Sequence, residues 1–256
     1  MAIAQVLVKK LPFIGNVIRV NRGPLLLKGF EEESDVILLD SLQLLVEECK
    51  KRKALMIQIA PEIPASKDSE ENLEKLGLRK LSNTAWSSGL VDLKNDKEDI
   101  LMSLNGKWRN CYRKGVKLGV NVVDVSYNKE AIAKLIDNYK TLQSQKEFIG
   151  LSTKLIEAMA TKSNKYWKFN IFEAKDSNDF VLGNLVTVNH GDTSIYLIGT
   201  TNSEGRKLQA NYVMLWESIL NAKENGCRWF DIGGLSEDTP SGIAHFKKGI
   251  NAEMYS

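Results

Sequence analysis

The chain of 256 residues has few of the groups that metal chemistry needs. It carries three cysteines and two histidines, and Cys49, Cys111 and Cys227 lie far apart with no C-x-x-C pair. A Cys/His zinc site is therefore nearly excluded, and the sparse, odd thiol count suits a reducing compartment rather than a disulfide scaffold. No apolar run approaches the ~20 residues of a membrane span. The opening MAIAQVLVKKLPFIG places its lysines after its apolar stretch, the reverse of a signal peptide. Charge of one sign is also missing: 35 Lys and Arg against 32 Asp and Glu leave +3, so any nucleic-acid contact must be a local patch. The G-x-S-x-G, Walker, G-x-G-x-x-G and H-E-x-x-H patterns are absent as well, which removes sequence support for the hydrolase, NTPase, dinucleotide and zincin classes.

What is present is an alternation of apolar strands and amphipathic helices. Strands are expected at 2–8 and 16–20, with a turn at Pro12 to Gly15. A helix capped by Asp40 is expected over 41–53, then a continuous apolar strand, ALMIQIA, over 54–60, of the kind covered on both faces. A short helix over 69–76 and a strand over 84–93 follow. Next come a basic helix over 99–115, a strand over 120–125, helices over 129–145 and 152–163, and three strands over 167–174, 181–189 and 193–200. The loop TNSEGRKLQ leads to a helix over 210–225 and the strand RWFDI over 228–232, ended by Gly233 and Gly234.

One pattern occurs twice. VLVKKLPFIGNVIRV, a helix and ALMIQIAP match LVTVNHGDTSIYLI, a helix and RWFDIGG in architecture, although little in identity. Each is a hairpin, a helix and an apolar strand. This order is the core of the GNAT acyltransferase fold. The expected architecture is therefore a mixed-sheet α/β (α+β) GNAT-like fold: a partial first domain over 1–95, holding the back half of one copy, and a near-complete second domain over 96–256.

Three stretches carry possible chemistry. In WRNCYRKGVKLG, Arg109, Arg113 and Lys117 are spaced by four and share a helix face with no acidic residue at i±4, which suits phosphates. In GTTNSEGRKLQANY, Gly205, Arg206 and Lys207 stand where CoA-dependent acetyltransferases carry a pyrophosphate loop, but without its second small residue. Tyr196 offers a phenol on the preceding strand, although a half-buried strand tyrosine is the commoner case. In SGIAHFKKGIN, Lys247 follows Phe246 in a glycine-flanked stretch read as a loop, where an ammonium can meet an oxyanion or phosphate. Taken alone, such a lysine is more often a surface residue. Asp231 lies at a strand's carboxyl end, where ligands approach, or caps the following turn. Trp229 and Phe230 read as core.

These pieces together resemble the FemABX family, the peptidoglycan bridge-forming aminoacyltransferases built from two GNAT-like domains. The resemblance rests on R-x-x-x-R-K-G-x-K-x-G-V (109–120), Y-L-I-G-T (196–200), L-W-E-S-I-x-x-A-x-x-x-G (215–226), F-D-I-G-G (230–234) and H-F-K-K-G (245–249), with looser matches in KKLP and V-N-R-G-P. It implies transfer of an amino acid from aminoacyl-tRNA to an amine of a UDP- or lipid-linked muropeptide or related cell-surface glycan, without CoA. It further implies Lys247, Phe246 and Tyr196 as catalytic residues at the tRNA 3′ end, and Arg109, Arg113, Arg206 and Asp231 as substrate-binding residues. The expected location is the cytoplasm, including the inner face of the membrane. The family carries a longer segment before the KKLP-like strand and a long coiled-coil arm. Here 129–163 accommodates two short helices, and the expectation is a member shortened at its N-terminus. Two alternatives stay open: an acetyl-CoA- or acyl-CoA-dependent N-acyltransferase, and an inactive binding module or fragment.

Overall fold

A computed structural model describes residues 1–27, 34–61, 63, 66–81, 87–146, 150–235 and 239–255. The chain divides into two compact units, Met1–Asn83 and Thr84–Ser256. The division falls before the expected 95/96 boundary because the strand after it joins the second unit's sheet. Of the strand expected at 84–93, residues 84–86 lie outside the described residues; so does Pro64, read as ending an earlier strand.

In the first unit the expected strand at 2–8 is two strands, β1 (Ala2–Ile3) and β2 (Leu7–Leu11). β2 turns into β3 (Gly15–Asn21), and β4 (Leu25–Leu26) pairs with β1. Helix α1 (Ser34–Lys51) begins before Asp40, so Asp40 is an interior residue and not the cap. Strand β5 (Ala54–Ala60) has the expected bounds but is not covered on both faces: Leu55 and Met56 are exposed. Helix α2 (Lys67–Lys75) is capped by Ser66, whose hydroxyl accepts from the Ser69 N–H, and closes at Gly77, at φ +79°. β2 runs antiparallel to β3, and β3 parallel to β5.

The second unit opens with β6 (Ser88–Asp92). The expected single helix over 99–115 is two, α3 (Lys97–Ser103) and α4 (Gly106–Lys117), separated at Asn105, whose side chain accepts from the Lys107 N–H and starts α4. Then follow β7 (Asn121–Asp124), α5 (Lys129–Lys146), α6 (Thr153–Lys162), β8 (Trp167–Lys175), β9 (Val181–His190) and β10 (Thr193–Thr201). The chain continues through α7 (Ser203–Lys207), α8 (Ala210–Glu224), β11 (Trp229–Asp231), α9 (Ser241–Lys248) and β12 (Glu253–Tyr255). The sheet order is β12-β6-β11-β10-β9-β8-β7, with β10 and β11 parallel and the other pairs antiparallel.

Alternation along the strands sends neighbours to opposite faces, so two cores form. Phe172, Leu185 and Phe230 pack with α8, which is buried on nearly every side from Ala210 to Ala222. Ile171, Val186 and Ile198 pack with Leu135, Tyr139 and Ile156 of α5 and α6. Each fully buried side chain of this size contributes roughly 1.5–3 kcal/mol. Helix α4 approaches α8 closely because Gly115 has no side chain; a methyl there would lie 2.6 Å from Val213. The expected core role of Phe230 is met, since it is wholly buried. Cys49 and Cys227 are buried too, and desolvation pushes both thiols up, away from reactivity.

Candidate active site

The parallel strands β10 and β11 pair only from Thr193↔Trp229 to Ile195↔Asp231. Beyond that point the register of β10 against β9 shifts between Tyr196 and Ile198, which leaves Leu197 as an extra residue. Past Asp231 the chain turns at Gly233, at φ +72°, a conformation suited to glycine. The turn also presses Gly233 against β10: a methyl on it would lie 2.4 Å from the Tyr196 carbonyl oxygen and 3.2 Å from Lys247 Nζ. Hydrogen-bonded pairing of the two strands therefore ends at Ile195 and Asp231, and side chains take the space between them beyond that point.

Lys247 enters that space from α9. Its ammonium donates to the Gly234 carbonyl at 3.0 Å and stands 5.0 Å from the centre of the Tyr196 ring. Only 8% of Lys247 is exposed, and burial pulls its pKa down to about 8, against the opposing effect of the Asp231 carboxylate. The stretch read as a glycine-flanked loop is thus a helix, and its lysine is a buried group rather than a surface one. Burial pushes the Tyr196 phenol up to about 12, so it remains protonated throughout the neutral range. The phenol lies back along its own strand over Gly199, where a methyl would come within 2.0 Å of the hydroxyl.

Asp231 sits behind the lysine, 3% exposed. It accepts from the Gly233 N–H at 2.8 Å, the Tyr255 hydroxyl at 2.6 Å and the Ser88 hydroxyl. Ser88 is also 2.9 Å from the Gly233 carbonyl oxygen. Three strands thereby fix the turn that holds Lys247. Asp231 is turned inward onto this network, which favours its turn-capping reading over direct substrate contact. Phe246 points to the other side of α9 and packs on Trp108 and Tyr212, with ring centres 6.2 and 5.0 Å away. It anchors the helix that carries the lysine.

The model of the FemAB family matches residues 129–256, half of the chain. The chain belongs to the FemAB family. That family comprises peptidoglycan-related aminoacyltransferases, the class implied by the five motifs. No curated protein matches by sequence. Among solved structures, FemX superposes with a TM-score of 0.77 at 18% identity, over 100% of this chain and 82% of its own. L-PGS from Bacillus licheniformis gives 0.62 at 12% identity over 98% and 78%. A tandem GNAT protein from the clavulanic acid biosynthesis pathway gives 0.52 at 12% over 99% and 76%. These likenesses establish a GNAT-like fold.

In this FemAB member, the structure groups Lys247, Tyr196 and Asp231 at the end of the β10–β11 pair, whereas the three arginines have other partners or lie exposed. Arg109 donates to the carbonyls of Met102 and Leu104, closing the end of α3. Arg113 is exposed on α4. Arg206 donates to the Thr201 carbonyl at 2.7 Å, within its own connection. The Gly205 N–H next to it is taken by the Asn202 side chain at 2.7 Å. Sequence reasoning missed Ser88 and Tyr255, the partners of Asp231. Nothing local marks them, since they lie 143 and 24 residues from it. Among the described residues, no group of three or more His, Cys, Asp or Glu side chains is placed to hold a metal ion, and no helix is long and apolar enough to cross a membrane.

Proposed function

We propose that this protein transfers an amino acid from aminoacyl-tRNA to an amine of a peptidoglycan precursor or related cell-surface glycan, with Lys247 as the charged group at the reacting ester. The observation that carries this reading is a desolvated ammonium held where β10 and β11 part. The acceptor amine attacks the ester carbonyl and loses a proton. The C–O bond to the ribose breaks, and the ribose oxygen leaves with a proton. Negative charge builds on the carbonyl oxygen between these events, and a fixed ammonium in a water-poor cleft stabilises it far better than one in solvent. With a pKa near 8, Lys247 is mostly charged at pH 7 and still able to release a proton to the leaving oxygen. Tyr196 lines the cleft as a neutral donor. Asp231 positions the turn, and Phe246 positions the helix.

The unpaired edge of β10 beyond Ile195 offers backbone groups to an extended aminoacyl chain. The occupied Gly205 N–H supports a reaction run without CoA. A cytoplasmic location, including the inner membrane face, follows from these substrates. Incubation with pooled charged tRNA and UDP-linked muropeptide tests the reading: deacylation of tRNA coupled to a heavier muropeptide is expected. Transfer that requires acyl-CoA and ignores tRNA would establish the CoA-dependent alternative. No transfer from either donor would sink both.

A further inference from the structure

Among the described residues, the most exposed apolar side chain lies at the tip of the β2–β3 hairpin in the first unit. The hairpin turns over Pro12, Phe13 and Ile14, closed by the Ile14 N–H donating to the Leu11 carbonyl at 3.2 Å. Phe13 is 109% exposed and Ile14 65%. Phe13 also takes φ +65°, a conformation that suits glycine and is uncommon for a bulky residue. Neither packing nor the turn itself accounts for a phenylalanine there. Leu55 on β5, also exposed, extends the apolar surface: its Cβ would lie 3.7 Å from a methyl on Gly15.

Charge of one sign surrounds this tip. Lys9 and Lys10 lead into the turn on β2. Lys50 and Lys51 end α1, and Arg52 and Lys53 follow before β5. The Asn16 side-chain amide donates to the Arg52 carbonyl at 3.2 Å and ties this basic run to the hairpin. Arg52 pairs with Glu48 at 2.9 Å. Among the described residues, no carboxylate pairs with Lys9, Lys10, Lys50, Lys51 or Lys53. A shallow cleft of about 550 Å³ is lined by the tip from Lys10 to Asn16 and by Lys53, with no acidic side chain on its walls.

We propose that this hairpin docks on an anionic lipid bilayer, with Phe13 and Ile14 entering the boundary between headgroups and acyl chains and a lipid phosphate held between Lys10 and Lys53. Aromatic side chains favour that boundary, and each cation close to an anionic leaflet strengthens binding about fivefold. Charge selects a bilayer over a second copy of the chain. Two tips related by a two-fold axis would set lysines against lysines, whereas an anionic surface complements them. The inference concerns the first unit alone and stands apart from the transfer reading.

The test is flotation of the full chain with vesicles of phosphatidylcholine, alone or with a third of phosphatidylglycerol. Binding to the anionic vesicles should be at least about tenfold tighter than to the neutral ones, and should weaken as salt rises to about 0.5 M. Phe13→Gly suits φ +65°, so it should melt no lower than wild type while its binding falls at least about tenfold. Lys10→Gln/Lys53→Gln should lower binding to the anionic vesicles at least about tenfold, in line with two lost cations. A chain that stays off the anionic vesicles would overturn the proposal. So would equal binding to both vesicle types, or binding unchanged by Phe13→Gly or by the double lysine variant. A dimer that Phe13→Gly disperses, without vesicle binding, would assign the tip to a second copy instead. A chain that binds anionic vesicles through Phe13 but transfers nothing would keep this surface and defeat the transferase reading.

Discussion

The hairpin–helix–strand unit occurs twice in this chain, and the two copies differ at one place. In the first, β2 and β3 form the hairpin, α1 crosses, and β5 lies parallel to β3 from Asn16↔Ala54 to Asn21↔Ala60, with one register shift between Asn16 and Val17. In the second, β9 and β10 form the hairpin, α8 crosses, and β11 lies parallel to β10 for only three residue pairs. One topology thus gives a closed seam in one copy and an open one in the other. The difference is traceable to residues. After β5 the chain continues into Pro61, whereas after β11 it turns back at Gly233 against Tyr196, and Lys247 enters the space beyond. The fold supplies the two parallel strands; a glycine turn and one lysine make a candidate site from them.

That comparison can be broken most severely at the turn. Gly233→Val forces a β-branched residue into φ +72° and drives it into the Tyr196 carbonyl, so a loss of more than about 3 kcal/mol is expected in denaturant unfolding. The next largest effect is expected at Gly199→Ala, which removes the space under the Tyr196 hydroxyl. The phenol must swing out, and transfer should fall by about tenfold or more at a stability cost of about 1–3 kcal/mol. Tyr196→Phe in the same background should recover most of that stability, and melting curves of the two variants decide it. Arg109→Gln should cost only about 1 kcal/mol, the order of a lost helix cap, and should leave transfer unchanged. A large loss of transfer with intact stability would return Arg109 to the substrate.

The second copy was the more legible of the two because its strands are deeply buried and their apolar runs are continuous. The bounds of β10 and α8 are readable to within a residue or two, and the repeat itself survives as identical strand topology. What misled were local signals with two meanings. Asp40 looks like a helix cap, but it sits inside α1. Asn105-Gly106 looks like part of one helix, yet Asn105 starts α4. The glycines around Lys247 suggest a loop, although Gly249 merely ends α9. Of the site, Lys247, Tyr196 and Asp231 could be named from motif positions. The burial of Lys247 and the Ser88–Asp231–Tyr255 network could not, because they arise from strands that meet only in the sheet. The arginines show the converse: a basic helix face is visible in sequence, but the carbonyls that occupy Arg109 are not.

The central claim is that Lys247 is a charged group held in the open seam at the expense of stability. Its folded pKa, about 8, lies below the ordinary 10.5, so below pH 8 both folded and unfolded chains carry the proton and the penalty is fully present. Between about pH 8 and 10.5 the unfolded chain binds more protons than the folded one, and the penalty fades as pH rises. The decisive measurement is the unfolding free energy of wild type and Lys247→Met from pH 6 to pH 11. The variant should be the more stable by up to about 3 kcal/mol at pH 7, with the gap closing between pH 8 and 10.5. A wild type that is the more stable at pH 7, or a gap that does not change with pH, would contradict the account.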